Sequence, residues 1–200
     1  MAHIALILGG VRSGKSRFAQ DLAHKLGGDD VLFVATAEAR DAEMSRRIQI
    51  HQTTRPSAWM TLESAQNVGA AIAQRRSNDL KSPTLLIDCL TLLVSNVLLG
   101  CGDDASADIV EQRVAAEIQS LLVACEEWPA AVIVVSGEVG LGVVPESALG
   151  RQYRDLLGWA NQAVAARSTA TYLMMAGLPI ELKSLTRSVE QAAANIRLQK

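Results

Sequence analysis

The chain has 200 residues, of which 49% are hydrophobic and 20% are charged. This length and composition predict a single domain over residues 1–200 with a sizeable apolar core, and they exclude a disordered or fibrous chain. The formal net charge of −2 gives no general attraction to nucleic acid or to an anionic membrane surface, so we expect neither as a partner.

The predicted strands and helices alternate along the chain. Short apolar runs predict strands at residues 4–8, 31–35, 84–87, 131–135 and 171–175. Segments rich in Ala, Leu and Gln predict helices at residues 16–26, 64–74, 89–99, 107–125, 147–166 and 188–200. Residues 100–107 are expected to form a surface loop. Because strands that alternate with helices form crossover units, we expect an α/β fold with a mostly parallel sheet flanked by helices.

Targeting signals are not evident in this sequence. The first residues, MAHIALILGG, lack the basic region and cleavage site of a signal peptide, and no apolar run approaches the length of a membrane span. Cys89, Cys101 and Cys125 are odd in number and have no CxxC spacing, so we predict neither a zinc site nor a disulfide framework. A cytoplasmic location is the expectation that follows.

A phosphate-binding motif, G-x-x-x-x-G-K-S, follows the first predicted strand and begins the first predicted helix. Its residues are Gly9, Gly10, Val11, Arg12, Ser13, Gly14, Lys15 and Ser16. In such a P-loop the glycines let backbone N–H groups face a phosphate chain, the lysine contacts the terminal phosphates and the serine hydroxyl binds Mg²⁺. A glycine-rich turn without a ligand is the alternative, but the strand and helix context favours a nucleotide site.

Asp88 directly follows the predicted strand at residues 84–87. An acidic residue at the end of a buried strand is the usual second protein ligand of Mg²⁺ in P-loop enzymes. The alternative is that Asp88 caps a helix over residues 89–99. The sequence therefore predicts Ser16 and Asp88 as metal ligands and leaves capping open as a further role.

His51 lies in a basic segment, RRIQIHQTTRP, that contains Arg46, Arg47 and Arg55. Arginines can neutralise a triphosphate while a neutral imidazole attacks phosphorus. A basic stretch with one histidine is also typical of a solvated helix face, so the residues alone leave both interpretations open.

Four sequence blocks in the same order resemble the bifunctional adenosylcobinamide kinase / adenosylcobinamide-phosphate guanylyltransferase family. They are GGVRSGKS, FVATAEARDAEMSRRIQIHQTTRP, LLIDCLTLLVSNVL and VVSGEVGLGVVPESALGRQYRDLLGWANQ, within residues 4–162. The resemblance implies a RecA-like P-loop NTPase fold and two activities. These are phosphorylation of adenosylcobinamide by ATP or GTP, and transfer of GMP from GTP to adenosylcobinamide phosphate, which gives adenosylcobinamide-GDP in cobalamin biosynthesis.

The same resemblance implies roles for individual residues. The pattern I-Q-x-H-x-x-x-R-P places the GMP-carrying histidine at His51. The further nucleotide contacts that it implies are Thr36, Ala37, Gln52, Thr53, Thr54, Arg55, Glu63 and Asp88. Glu63 could accept hydrogen bonds from guanine or could be an ordinary acid at a helix start. The resemblance also implies a homotrimer, with Mg²⁺ as the cofactor.

The sequence leaves two questions open, the role of residues 136–149 and the choice among related functions. The stretch at residues 136–149 contains several glycines at the predicted carboxyl end of a strand, so Glu138 either faces the active site or belongs to a connection without a chemical role. A P-loop kinase of another small metabolite and a regulatory GTP-binding protein are the alternative functions. No N-K-x-D motif is present, which argues against a regulatory GTP-binding protein.

Overall fold

The apolar runs form one seven-stranded sheet in the computed structural model, which describes residues 3–39, 41–78, 83–102 and 104–197. The strands are β1 (Ile4–Gly9), β2 (Val31–Ala35), β3 (Met60–Glu63), β4 (Thr84–Asp88), β5 (Val132–Val135), β6 (Ala170–Met175) and β7 (Leu178–Glu181). The helices are α1 (Lys15–Gly27), α2 (Ala42–Thr54), α3 (Val68–Asn78), α4 (Leu90–Gly100), α5 (Ala107–Glu126), α6 (Ala148–Arg167) and α7 (Val189–Arg197).

The strand order is β3-β2-β4-β5-β1-β6-β7, and every neighbouring pair is parallel except β6 and β7. Strand β5 lies between β1, which leads into the P-loop, and β4, which ends at Asp88. This confirms the predicted mostly parallel sheet. The carboxyl ends of β1, β2, β3, β4 and β5 consequently meet at one edge, where ligands of open α/β sheets bind.

The central strands are buried on both faces because helices cover each side of the sheet. On one face, side chains such as Leu6 and Leu85 pack in one cluster with residues of α3, α4, α5 and α6. On the other face, Ile7 and Leu86 pack with Ala19 and residues near α1. Alternate residues of one strand thus enter different cores, which explains why these strands are continuously apolar.

All five predicted strands are confirmed, with bounds that differ by one residue at most at either end. Two further strands, β3 and β7, were not predicted. Both are sheet edges, and β7 contains Pro179 and pairs only with β6. An edge strand tolerates proline and need not be continuously apolar, so its sequence signal is weak.

The helix predicted at residues 64–74 begins later, at Val68, and continues to Asn78. Its start is determined from elsewhere in the chain. The carboxylate of Glu117, on α5, accepts hydrogen bonds from the backbone N–H groups of Asn67 (2.9 Å) and Val68 (2.8 Å). Because this cap comes from a distant residue, local sequence could not indicate where α3 begins.

Candidate functional site

The P-loop connects β1 to α1 at the carboxyl edge of the sheet. Gly14 occupies the N-cap position of α1 with φ 94°, and no side chain caps the helix or adds an acid to its first turn. The N–H groups of this turn are therefore available to an anion, and the helix dipole adds to the positive field. The backbone N–H of Gly177, in the β6–β7 turn, donates to the Ser13 carbonyl at 3.0 Å and supports the loop.

Gly9 and Gly14 are required by close packing around the loop. A Cβ on Gly9 would lie 2.6 Å from Ser13 Oγ and 2.7 Å from the Met174 carbonyl oxygen. A Cβ on Gly14 would lie 3.3 Å from Gly177 Cα, at a φ that L-residues rarely adopt. At Gly10, in contrast, the space is open.

Lys15 lies within this cradle. Its Nζ donates to the Gly10 carbonyl at 2.6 Å. Burial lowers the pKa of Lys15 below its usual value, while the nearby Cys89 and Asp88 oppose that shift. The ammonium group is thus partly desolvated and close to Asp88, an arrangement suited to holding terminal phosphates beside a metal-binding carboxylate.

A cavity of about 320 Å³ lies at the carboxyl edge of the strands. Its lining combines the P-loop, the ends of β2, β4 and β5, and one face of α2. The residues are Gly9, Val11, Lys15, Ser16, Phe33, Ala35, Ala37, Met44, Ile48, Arg55, Asp88, Cys89, Thr91, Leu92, Val135, Gly137, Glu138 and Val139. A second cavity, of about 400 Å³, lies along the P-loop and is lined by Val11, Arg12, Ser13, Gly14, Lys15, Ser16 and Arg17.

Asp88 ends β4 and lines the first cavity together with Ser16. Cys89, and not Asp88, occupies the N-cap position of α4, so the capping alternative for Asp88 is wrong. A hydroxyl and a carboxylate are ligands that Mg²⁺ accepts, and Mg²⁺ normally keeps water and phosphate oxygens as its other ligands. Within the described ranges, no group of three or more His, Cys, Asp or Glu side chains forms a metal site of its own.

Cys89 also lines the cavity, but its thiol is not a nucleophile. Burial, with a further contribution from Asp88, raises the pKa of Cys89 to about 12. The side chain therefore remains a neutral thiol near pH 7, and the reactive form of cysteine is the thiolate.

Thr36 was expected to contact a nucleotide, but it is fully buried (0% exposed). Its hydroxyl donates to the Cys89 carbonyl and accepts from the Cys89 N–H, each at 2.8 Å. Asn96 Nδ2 donates to the Thr36 carbonyl at 2.8 Å. The Thr36 side chain is thus used within the protein, where it fixes the chain next to Asp88, and its contact with a nucleotide stays a prediction. Its neighbour Ala37 does line the cavity.

Helix α2 contributes the remaining wall. Asp41 caps it by accepting from the Met44 N–H at 2.7 Å, and Met44 and Ile48 line the cavity. Position 51 comes three residues after Ile48 and therefore belongs to the same helical face by the 3.6-residue period. The side chains of His51 and Thr54 lie outside the described part of the structure.

The other residues of this segment that were predicted to contact the nucleotide fall into two groups. Gln52 and Thr53 are exposed and are not among the residues that line the cavity, whereas Arg55 lines it. The Arg55 guanidinium stacks over the Phe33 ring, 4.1 Å from its centroid. Burial lowers the pKa of Arg55, and the charges of Asp88 and Glu63 oppose that shift.

Glu63 is the last residue of β3 and is exposed, so its interpretation as a helix-start acid is wrong. In the sheet register Glu63 lies opposite Ala35, which in turn lies opposite Asp88. Glu63 and Asp88 are therefore at the same level of the sheet, and both act electrostatically on Arg55.

Sequence reasoning did not single out several residues that line the cavity, namely Phe33, Met44, Ile48, Thr91 and Leu92. The spacing of Met44 and Ile48 behind a capping Asp41 does contain a helix signal. The contact of Phe33 with Arg55 has no such signal, because it joins a strand to the end of a helix through tertiary packing.

Among the described residues, no helix has the length and apolar character that crossing a membrane requires.

A family model described as cobinamide kinase / cobinamide phosphate guanyltransferase matches residues 5–182. Curated relatives include the bifunctional adenosylcobalamin biosynthesis protein CobP of Pseudomonas aeruginosa, 46% identical over 178 residues, with 89% of this chain and 96% of that protein covered. The protein CobU with the same description from Escherichia coli (strain K12) is 40% identical over 186 residues, with 89% and 98% covered. The one from Salmonella typhimurium is 37% identical over 185 residues, with 89% and 98% covered.

A solved structure of an ATPase from the type III secretion system of pathogenic bacteria superposes with a TM-score of 0.54 at 13% identity. The match covers 96% of this chain and 60% of that one. At this identity the likeness concerns the fold alone, and it agrees with the predicted α/β fold with a mostly parallel sheet.

Proposed function

The chain belongs to the cobinamide kinase / cobinamide phosphate guanyltransferase family, and we propose that it carries out both reactions at the cavity described above. It would phosphorylate the aminopropanol hydroxyl of adenosylcobinamide with ATP or GTP, and then transfer GMP from GTP to adenosylcobinamide phosphate. The observation that carries the proposal is that Lys15, Ser16, Asp88 and Arg55 line one cavity. The family match favours this function over a kinase of another metabolite or a regulatory GTP-binding protein.

In the kinase reaction the P-loop holds the triphosphate. Backbone N–H groups at the start of α1 would face the phosphate oxygens, and Lys15 would neutralise the charge that develops on the departing diphosphate as the terminal phosphoryl group is transferred. The substrate oxygen forms a bond to the γ-phosphorus, the bond to the β–γ bridging oxygen breaks, and a nucleoside diphosphate departs. Ser16 and Asp88 would hold Mg²⁺, which when bound neutralises charge on the phosphates.

In the guanylyl transfer we assign the nucleophile to His51, on the face of α2 that carries Met44 and Ile48. An unprotonated imidazole nitrogen attacks the α-phosphorus of GTP, a P–N bond forms, and pyrophosphate leaves. A phosphate oxygen of adenosylcobinamide phosphate then attacks the same phosphorus, the P–N bond breaks, and adenosylcobinamide-GDP is released. Arg55 is partly buried and interacts electrostatically with Asp88, and it would neutralise the phosphates during both displacements.

The remaining predicted contacts have more specific roles in this proposal. Ala37 would contact the nucleotide from the end of β2, and Gln52 and Thr53 would do so from the exposed side of α2. The Glu63 carboxylate would accept hydrogen bonds from guanine at the outer strand of the sheet. Thr36 would act indirectly, by holding Cys89 and hence Asp88 in place.

We also propose that the enzyme works as a cytoplasmic homotrimer. None of the described side chains of α2 is buried, although this helix would carry the nucleophile. An exposed helix beside an active site is suited to packing against a neighbouring subunit, which would shield the phosphoramidate from water.

The central test uses GTP labelled at the α-phosphorus. The wild-type protein should take up label that is acid-labile and base-stable, as expected for a phosphoramidate, and adenosylcobinamide phosphate should discharge it. His51→Ala should take up none. His24→Ala is the matched control, because His24 lies near the end of α1 and contacts the Gly28 carbonyl at 3.1 Å, so it should label like the wild type. Equal labelling of His51→Ala would refute the assignment of the nucleophile.

A further inference from the structure

The described residues that line the 320 Å³ cavity include only two carboxylates, Asp88 and Glu138. Asp88 interacts electrostatically with Lys15 and Arg55. It therefore belongs to the group of charged side chains that would hold the phosphates. Glu138 comes three residues after the end of β5 and belongs to a different wall. The roles assigned so far give Glu138 no task, although a carboxylate beside a phosphoryl-transfer site is chemically competent to accept a proton.

The backbone of Glu138 is tied directly to the P-loop. Its N–H donates to the Gly9 carbonyl at 3.0 Å, and the N–H of Ser136 donates to the Ile7 carbonyl at 2.9 Å. These bonds continue the pairing of β5 with β1 past the end of the sheet. The position of Glu138 relative to the phosphate-binding turn is therefore determined by the same strand that begins that turn.

The residue before Glu138 is clamped by two helices. Gly137 N–H donates to Thr91 Oγ1 on α4 at 2.6 Å, and Asn161 Nδ2 on α6 donates to the Gly137 carbonyl at 3.0 Å. Asn161 is buried and accepts from the Ser136 hydroxyl at 2.6 Å. Buried polar groups that are fully paired in this way restrict the backbone to one arrangement. Such restriction is what a residue needs if it must meet a reacting atom.

We propose that Glu138 is the general base of the kinase reaction, an inference that rests on the proposed function. The Glu138 carboxylate accepts the proton of the aminopropanol hydroxyl as that oxygen forms its bond to the γ-phosphorus. The bond from the γ-phosphorus to the bridging oxygen breaks, and the electron pair leaves with the nucleoside diphosphate. The guanylyl transfer needs no such base, because its acceptor is already an ionised phosphate. Glu138 thus serves one of the two reactions.

The competing explanation is that Glu138 only stabilises its own loop. Its Oε1 accepts from the Gly140 N–H at 2.5 Å, and Arg154 Nη2 donates to the Gly140 carbonyl at 2.9 Å. Glu138→Gln separates the two explanations. An amide oxygen still accepts from Gly140, so the loop contact is kept, but glutamine cannot take a proton from the substrate.

The experiment measures both reactions on each protein through their different leaving groups. Kinase activity is followed as nucleoside diphosphate released with adenosylcobinamide, and guanylyl transfer as pyrophosphate released with adenosylcobinamide phosphate. We expect Glu138→Gln to lower kcat of the kinase reaction by about 100-fold or more and to change guanylyl transfer by less than about threefold. Glu146→Gln, an exposed carboxylate on the same loop that does not line the cavity, is the matched control and should retain both activities.

Each other outcome has a definite meaning. If the wild-type protein forms no nucleoside diphosphate, the proposed kinase function is wrong and the role of Glu138 with it. If wild type and Glu138→Gln are equally active as kinases, only the role of Glu138 is overturned. Equal loss of both reactions in a folded variant would also overturn it, because Glu138 would then serve the common nucleotide site.

A folding defect would be recognised by thermal denaturation, and Glu138→Asp then replaces Glu138→Gln. The aspartate keeps a carboxylate but withdraws it by one methylene, so kinase activity should fall about tenfold further than guanylyl transfer. A uniform decrease of both activities in Glu138→Asp would contradict the assignment.

Discussion

The P-loop and helix α2 line the same cavity, but they are held in different ways. The P-loop follows a central strand, is supported by the β6–β7 turn through Gly177, and has no room for a Cβ at Gly9. Helix α2 has no buried side chain among those described, and it contacts the cavity through the half-buried Met44 and Ile48. One wall of the site is thus built into the core of the protein, and the other is attached at its periphery.

This difference corresponds to a division of chemical work. Both reactions that we propose begin with a bound nucleoside triphosphate, and a preorganised cradle binds phosphates without reorganisation. In the proposed mechanism only the guanylyl transfer uses α2, which would present one nitrogen to GTP and later the bound GMP to a second substrate. Substitutions in the P-loop should consequently impair both reactions, and substitutions on α2 should impair one of them.

The largest expected effect is that of Lys15→Ala. Removing the ammonium group from the phosphate cradle should lower kcat/KM of both reactions by about 10²–10³-fold. The free energy of unfolding should hardly change, because Lys15 is half-buried and its ammonium group donates to the Gly10 carbonyl within the same loop. Steady-state kinetics with each substrate pair checks this. Lys25→Ala, on the exposed last turn of the same helix, is the control and should behave as wild type. A loss of activity in only one reaction would contradict the proposal that the P-loop serves both reactions.

Gly9→Ala should destabilise the protein as well as the site. The new methyl group would meet Ser13 Oγ and the Met174 carbonyl at less than 3 Å, and the backbone must shift to relieve these contacts. We expect a loss of about 1–3 kcal/mol in the free energy of unfolding, measured by urea denaturation. Gly10→Ala is the matched control for stability, since no atom of the described residues lies within 4 Å of a Cβ there. Equal stability of the two variants would show that the loop is less tightly packed than the contacts indicate.

The two walls also differ in how far sequence could predict them. Strand β1, Gly9 to Ser16 and helix α1 form one continuous stretch, and each element has a local signal: an apolar run, glycines, and a helical pattern that ends at Gly27 and Gly28. Local sequence and tertiary structure agree here, so the prediction of this wall was confirmed in detail. The position of Asp88 at the end of an apolar strand is confirmed in the same way, while its role as a metal ligand stays a prediction.

The second wall depends on contacts between distant residues. No helix was predicted to begin at Ala42, although the capping Asp41 is a local signal for one, and β3 is an edge strand of only four residues. The family resemblance implied a nucleotide contact for Thr36, but its hydroxyl hydrogen-bonds to the backbone of Cys89, which is 53 positions away. Such pairings are set by the sheet order, and no local pattern records them.

Arg55→Lys tests the peripheral wall with an intermediate effect. A lysine keeps the charge but loses the planar group that stacks on Phe33 at 4.1 Å, and its ammonium is more strongly hydrated. We expect the rate of guanylyl transfer to fall about tenfold, which corresponds to the loss of one partly desolvated cation–π contact. The rate of the kinase reaction should change less. Arg76→Lys, which alters a surface ion pair with Glu127, is the control and should change neither. An equal decrease of both reactions would assign Arg55 to the common phosphate site instead.

The smallest effect, and the sharpest test of the structural contrast, is expected for Ile48→Ala. Ile48 is half-buried on α2, whereas Ile87 on β4 is fully buried (0% exposed) in the main core. Truncation to alanine should therefore lower the free energy of unfolding by less than about 1 kcal/mol at position 48 and by about 2–5 kcal/mol at position 87. Only the buried position leaves a cavity in closely packed surroundings. Urea denaturation of the two variants gives both values. A cost at position 48 that approaches the cost at position 87 would mean that α2 is integrated into the core, and the separation of the two reactions by mutation would then lose its structural basis.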